Sequence, residues 1–251
     1  MLRYTQILIL EIGHLCNLAK EHCLCPVTER KTMGGESPLL QSERVAIAQA
    51  AYRQHGFRGF VAFHFYNEPM LRAEEMFDTM RQTRDAVPAA RFLLWTNGTI
   101  TPDDERMRLF DKVVCSNYRD NAALEGYYRK YAADVQVNPA NGNWQFDGRL
   151  SDWRANPAGY ARCMRPLVEF IIDDWGRARL CCQDWRGEVE IGDYRRDGLD
   201  AMLLCRQSLT EDICRPMKEC SPERCVRCAA KIGPVPFDAG ICEAGAKYYE
   251  S

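Results

Sequence analysis

Residues 6–26 read QILILEIGHLCNLAKEHCLCP. A short apolar run at residues 6–11 leads into a loop with three cysteines in ten residues. A run this short fits a buried strand. The cysteines are spaced Cys16-x6-Cys23-x-Cys25. That is too crowded for a zinc ribbon, whose close pairs are separated by roughly two to four residues. Metal or redox chemistry carried on a loop just past a strand is what a parallel α/β fold provides, so the question passes to the segments that follow.

They alternate between strand-like and helix-like patterns. Val45, Ala48, Ala51 and Tyr52 share one face of a helix expected at residues 42–55. Residues 59–65 (GFVAFHF) form a second strand. Ala73, Met76, Phe77 and Met80 fall at i, i+3, i+4 and i+7 of an amphipathic helix over 71–87. A third strand is expected at 92–95, a helix starting at Thr101 as N-cap with Pro102 in its first turn, and a fourth strand at 112–116. A helix at 122–132 and a strand at 134–137 follow. This alternation implies a parallel sheet joined by crossovers. Such sheets carry their chemistry in the loops past the strands' C-terminal ends. The cysteine loop follows the first strand, YNEP (66–69) the second and TNGT (96–99) the third.

Residues 138–162 are rich in Asn, Gly and Pro and read as a long loop and domain boundary. Beyond them, residues 167–173 and 177–182 flank Asp174-Trp175-Gly176 as a hairpin. A helix is expected around 198–206. The expected division is a first domain over 1–150 and a second over 151–251.

Composition narrows the setting. The 251 residues, 46% hydrophobic, can bury one substantial core. A net charge of -2 exerts no general pull on nucleic acid or membrane. No apolar stretch approaches the ~18 residues of a membrane span. No small-residue cleavage site follows the N-terminal apolar run. The expectation is a cytoplasmic protein that binds neither nucleic acid nor membrane. In a reducing compartment, thirteen cysteines point to metal or redox chemistry rather than disulfides. Only Cys115 lies within residues 26–162; the other twelve sit in the first 25 and last 89 residues. Cys16, Cys23 and Cys25 make one group. Cys163, Cys181 and the Cys225-x2-Cys228 pair make another. Four thiolates commonly hold an iron–sulfur cluster, and a site with three leaves one iron open.

The order of these segments resembles the radical S-adenosylmethionine (SAM) superfamily. EIGHLCNL with two more cysteines looks like that family's cluster loop, and Asn67-Glu68-Pro69 is similar to its GGEP motif. Thr96-Asn97-Gly98 resembles a segment common in its members. Cys163-x12-Gly176-x4-Cys181 matches the C-x9-15-G-x4-C entry of its SPASM and twitch auxiliary domains. The resemblance spans almost the whole chain. Two departures stand out. The family loop is usually C-x3-C-x2-C, so His22 competes with Cys23 as middle ligand, and Cys23 is preferred because thiolate is the usual cluster ligand. The full SPASM ending is absent. The run Cys214, Cys220, Cys225, Cys228, Cys242 favours the shorter twitch form, with a second auxiliary cluster on Cys205, Cys214, Cys220 or Cys242 left open.

The resemblance implies a partial (β/α) TIM-like radical SAM barrel with a small cysteine-rich twitch/SPASM domain. It implies a [4Fe-4S] cluster on Cys16, Cys23 and Cys25, whose open iron binds SAM. SAM would then be cleaved to a 5'-deoxyadenosyl radical that abstracts a substrate hydrogen. Tyr66, Asn67, Glu68, Pro69, Thr96 and Asn97 would contact SAM. Cys163, Cys181, Cys225 and Cys228 would hold an auxiliary [4Fe-4S] cluster, and Arg149 would reach the substrate. A flavodoxin or ferredoxin would donate the electron. The compact barrel followed at once by the cluster domain is similar to the family's aminocyclitol dehydrogenases, which implies oxidation of an alcohol on a sugar or aminocyclitol. A radical SAM maturase of a ribosomal peptide is the alternative, making a thioether, a crosslink or an epimer. A non-catalytic iron–sulfur or zinc protein is the third reading, with Cys220, Cys225 and Cys228 as a zinc knuckle.

Plainer roles are expected elsewhere. Cys115 reads as a buried small hydrophobe. Cys181 and Cys182 point in opposite directions, so one of them faces a shared site. Cys205 reads as helix core. His64 reads as a strand histidine, and Tyr127, Tyr128 and Tyr131 as a helix face packed on the sheet.

Overall fold

The computed structural model describes residues 2–18, 37–118, 121–131, 134–137, 165–182, 184 and 186–214, with backbone alone at 134–137 and 211–214. His22, Cys23, Cys25, Arg149, Cys163, Cys225 and Cys228 lie outside the described residues.

Among the described residues seven strands form one sheet. They are β1 (Ile7–Leu10), β2 (Phe60–Ala62), β3 (Arg91–Thr96), β4 (Lys112–Asn117), β5 (Asp134–Val137), β6 (Glu169–Ile172) and β7 (Ala178–Arg179). Their order is β5-β4-β3-β2-β1-β6-β7. Every neighbouring pair is parallel except β6–β7. The hairpin expected beyond residue 162 forms, and β6 adds to the sheet beside β1, with Ile7 opposite Glu169 and Leu10 opposite Ile172. The first strand is therefore interior, flanked by β2 and β6, and all four of its residues are buried.

Strand alternation sends successive side chains to opposite faces. Leu8, Leu10, Val61, Phe63, Phe92, Leu94, Phe170 and Ile172 enter the larger core. Helices supply the rest of that core: α1 (Gln41–Gln54), α2 (Ala73–Ala86), α3 (Asp104–Met107), α4 (Ala122–Arg129) and α6 (Tyr194–Cys214). A short α5 (Arg165–Val168) leads into β6. The opposite face carries a smaller cluster of Ile7, Ile9, Ala62, Leu93, Val114 and Ile171, with Phe60, Phe65, Trp95 and Cys182 half-buried against it.

Met76, Phe77 and Met80 are buried along α2 as their spacing predicts. A 3-10 turn at Pro69–Arg72 precedes that helix. On α1 the buried face is Arg44, Ile47, Ala48, Ala51 and Tyr52, so Arg44 rather than Val45 points inward. Asp103, not Thr101, caps α3. Pro102 has no N–H and lies ahead of the cap, and the extended Asp103 accepts from the Arg106 N–H at 2.8 Å. The helix expected around 198–206 runs from Tyr194 and breaks at Gly198, whose φ of 76° only glycine adopts freely. Cys115 is fully buried, and Tyr128 is buried with Tyr127 and Tyr131 packed beside it. No helix among the described residues is long and apolar enough to cross a membrane.

Candidate active site

Three loops meet past the C-terminal ends of β1, β2 and β3. Asn67 stitches the second to the first: its Nδ2 donates to the carbonyls of Ile12 at 2.8 Å and Phe63 at 3.1 Å, while its Oδ1 accepts from the Phe65 N–H at 2.7 Å. The Glu68 N–H donates to the Leu15 carbonyl at 2.8 Å. The Glu68 side chain joins the second loop to the third. One oxygen accepts from the Asn97 N–H at 2.7 Å, the other from Thr96 Oγ1 at 2.9 Å and the Met70 N–H at 3.0 Å. Pro69 then opens the 3-10 turn, where its missing N–H costs nothing.

Asn97 closes the triangle. Its Nδ2 donates to Asn17 Oδ1 at 3.0 Å and lies 3.7 Å from Cys16 Sγ. Asn17 Nδ2 in turn donates to Thr99 Oγ1 at 2.8 Å. Gly98 makes the turn possible. Its φ is +75°, and a Cβ there would sit 2.7 Å from Cys115 Sγ.

Glu68 is 1% exposed, and burial pushes its carboxyl up to about 7 against the pull of the Asn97, Met70 and Thr96 donors. Its carboxylate is met by three protein groups, so it binds the two loops to each other. Tyr66 is also buried, with its N–H donating to Glu11 Oε1 at 3.3 Å and its hydroxyl to the Cys182 carbonyl.

A second network grips the cysteine loop from the β6 side. Arg44, 1% exposed, donates to the carbonyls of Glu11 at 3.1 Å and Leu39 at 2.6 Å. It also donates to Glu75 at 3.0 Å and Asp174 at 2.5 Å. Burial pulls the Arg44 pKa down, and Asp174 opposes that. Asp174 accepts from the Gly13 N–H at 3.0 Å and faces His14 Nδ1 at 3.3 Å. His14 stacks on Trp175 with ring centroids 5.2 Å apart. The backbone three residues ahead of Cys16 is thus held by the Asp174 of an ion pair. Residue spacing gave no warning of this network. Its one sequence signal is Glu11, a lone charge inside the apolar stretch ILILEI.

A cavity of about 140 Å³ lies beside these loops, lined by Leu18, Asn97, Asn117, Tyr118 and Leu124 among others. Asn117 and Asn121, which sequence reasoning passed over, hold its wall. The Asn121 N–H donates to Asn117 Oδ1 at 3.1 Å, and Asn121 caps α4.

Cys16, Tyr66, Asn67, Glu68, Pro69, Thr96 and Asn97 are therefore brought together. Cys16 is half-buried and is not in a disulfide. Cys181 lies past β7, also half-buried. Its neighbour Cys182 is the one packed on the face opposite the helices, with Sγ 2.7 Å from an Arg165 nitrogen. Cys205 is half-buried on α6, against the main core. Among the described residues no three metal-ligating side chains converge, since the partners proposed for Cys16 lie outside them.

The fold is similar to that of a radical SAM enzyme. Solved structures that it resembles include two of BtrN, a radical SAM 2-deoxy-scyllo-inosamine dehydrogenase. One shows BtrN in an open conformation, at 17% identity and a TM-score of 0.60, covering 90% of this chain and 92% of that one. The other shows BtrN in complex with AdoMet and 2-DOIA, at 19% identity and a TM-score of 0.61, covering 83% and 87%. No protein-family model and no curated protein sequence matches the chain.

Proposed function

We propose that the chain is a radical SAM oxidoreductase that carries out the two-electron oxidation of an alcohol on a sugar or aminocyclitol. One observation carries the reading: Cys16, the YNEP segment and the TNG segment are far apart in sequence yet hydrogen-bonded together at the ends of adjacent parallel strands. That is the position at which parallel α/β sheets do chemistry.

The residues suit an iron–sulfur cluster. Cys16 is a half-buried thiol outside any disulfide, with the Asn97 amide N–H aimed at its sulfur. With Cys23 and Cys25 it would hold a [4Fe-4S] cluster. When bound, that cluster supplies reductive cleavage of SAM and, through the radical released, removal of a substrate hydrogen. The protein's own groups would position the cofactor. Tyr66, Asn67, Glu68, Pro69, Thr96 and Asn97 lie where SAM would be held, and the amide-lined cavity beside Asn97 suits its nucleoside part. Glu68 would keep the two SAM-side loops in register.

Cys163, Cys181, Cys225 and Cys228 would hold an auxiliary [4Fe-4S] cluster in a twitch domain over 151–251, which would accept the electron left on the substrate radical as its hydroxyl proton departs, and the barrel would occupy 1–150. The pairing of β6 with β1 means that the two units would share one sheet. Arg149 would contact the substrate. A flavodoxin or ferredoxin would supply electrons in the cytoplasm. The likeness to BtrN, whose structure was solved with AdoMet and 2-DOIA, supports a small polyol substrate.

The test is anaerobic reconstitution followed by dithionite and SAM. The wild type should release 5'-deoxyadenosine and Cys16→Ala should release none. Cys163→Ala should keep slow uncoupled cleavage and lose product. An iron-loaded wild type that leaves SAM intact would rule the reading out.

A further inference from the structure

We infer that His64 binds a hydroxyl group of the substrate through its Nδ1. The inference rests on the proposal that an alcohol is oxidised at this end of the sheet, and it adds the group that recognises that alcohol.

Alternation along the strands puts His64 on the face opposite the helices. Ala62, two residues earlier, belongs to the small cluster on that face, as do Ile9, Leu93 and Ile171. Parallel pairing sets Ile9 beside both Ala62 and Ile171, and Ala62 beside Leu93, as one apolar layer. His64 and Trp95 come next, one step nearer the C-terminal ends. Their rings lie 5.0 Å apart and 35° from coplanar. Trp95 is fixed in turn, its Nε1 donating to Ser116 Oγ at 3.1 Å. The next position of that face along β3 is Asn97, the residue 3.7 Å from Cys16. His64 therefore follows the apolar floor on the way to the strand ends, where Asn97 meets Cys16.

Its chemistry is incomplete as it stands. Nδ1 of His64 is buried and has no hydrogen-bond partner among the described residues. Native proteins rarely leave such an atom unmet. Burial holds the ring's pKa down at about 3, so the imidazole is neutral near pH 7 and exerts no pull on an anion. A neutral ring nitrogen needs one partner, a donor or an acceptor according to tautomer. A hydroxyl can be either. A carboxylate only accepts and an ammonium only donates. The half-buried Trp95 and Phe65 beside it offer apolar surface for the C–H face of a polyol ring.

Ring ¹⁵N NMR of the full-length protein tests this directly. The chain has four histidines, so comparison with His64→Gln assigns the His64 signals. The probes are 2-deoxy-scyllo-inosamine and myo-inositol, with sodium acetate as the control. Both polyols should move the His64 Nδ1 resonance and acetate should not. His64→Phe should weaken polyol binding roughly fivefold to tenfold, the loss of about one hydrogen bond. His64→Gln, which keeps a hydrogen-bonding side chain, should stay within about threefold of wild type. A resonance unmoved by either polyol, or moved as far by acetate, overturns the inference. So does wild-type polyol binding by His64→Phe. SAM cleavage is measured separately on the wild type: its absence removes the proposed function, whereas intact cleavage with a silent His64 removes only this assignment.

Discussion

Glu68 and Asp174 are both nearly inaccessible to water, and both hold the segment that carries Cys16, yet they are satisfied differently. Glu68 is met only by uncharged donors: two backbone N–H groups and the Thr96 hydroxyl. Asp174 is met by the buried Arg44 as well as by the Gly13 N–H. Neutral donors compensate a buried charge incompletely, which is why burial wins at Glu68 and lifts its pKa to about 7. An arginine stays charged in such a place and fixes its partner. One side of the cysteine loop is thus anchored by an ion pair, and the other by the Glu68 N–H and the Asn97 amide, whose own loop is held by a carboxyl that burial lifts to about 7.

The largest effect should come from breaking the ion pair. Arg44→Met leaves Asp174 buried with its cation gone and the Glu11 and Leu39 carbonyls without their donor, and should cost about 3–5 kcal/mol in urea unfolding. Adding Asp174→Asn should recover part of that loss. A cost below about 1 kcal/mol would show that the ion pair does not hold the loop.

Glu68→Gln should cost less, about 1–3 kcal/mol, because one of the donors then faces an amide NH₂. The pH dependence sharpens the contrast. Glu68 has its folded pKa raised above 4.5 to about 7, so it binds its proton more tightly when folded. Its contribution to stability is fully present below about 4.5 and is lost as pH rises through about 7. Denaturation midpoints measured across that window should fall with pH more steeply in wild type than in Glu68→Gln. Equal slopes would place the titration elsewhere.

Gly98→Ala probes the same neutral anchor through its turn. The positive φ and the crowding against Cys115 should cost about 1–2 kcal/mol in a thermal melt. The smallest effect is the surface control. Arg129 pairs with Glu125 on the exposed side of α4, and Arg129→Ala should change stability by less than about 0.5 kcal/mol. A larger change there would mean that exposed pairs also matter.

The same comparison explains what could be read from the sequence. The hydrogen-bonded anchor was legible, because NEP and TNG are local strings at strand ends and the strands show as short apolar runs. The helices were legible where apolar residues repeat at helical spacing, as at Met76, Phe77 and Met80. The ionic anchor was not. Arg44 and Asp174 are 130 residues apart, and nothing local marks an arginine that turns inward from a helix. The pairing of β6 with β1 was hidden for the same reason, since register across such a separation leaves no periodic trace. Caps shifted by a residue or two, as at Asp103, because neighbouring Thr and Asp both make good caps.

The most direct test of the account is the EPR spectrum of the reconstituted, dithionite-reduced protein, recorded before and after SAM is added. If Cys16, Glu68 and Asn97 frame one cofactor site, SAM should change the wild-type spectrum and leave that of Cys16→Ala unaltered. A fully iron-loaded wild type whose spectrum does not respond to SAM would contradict it.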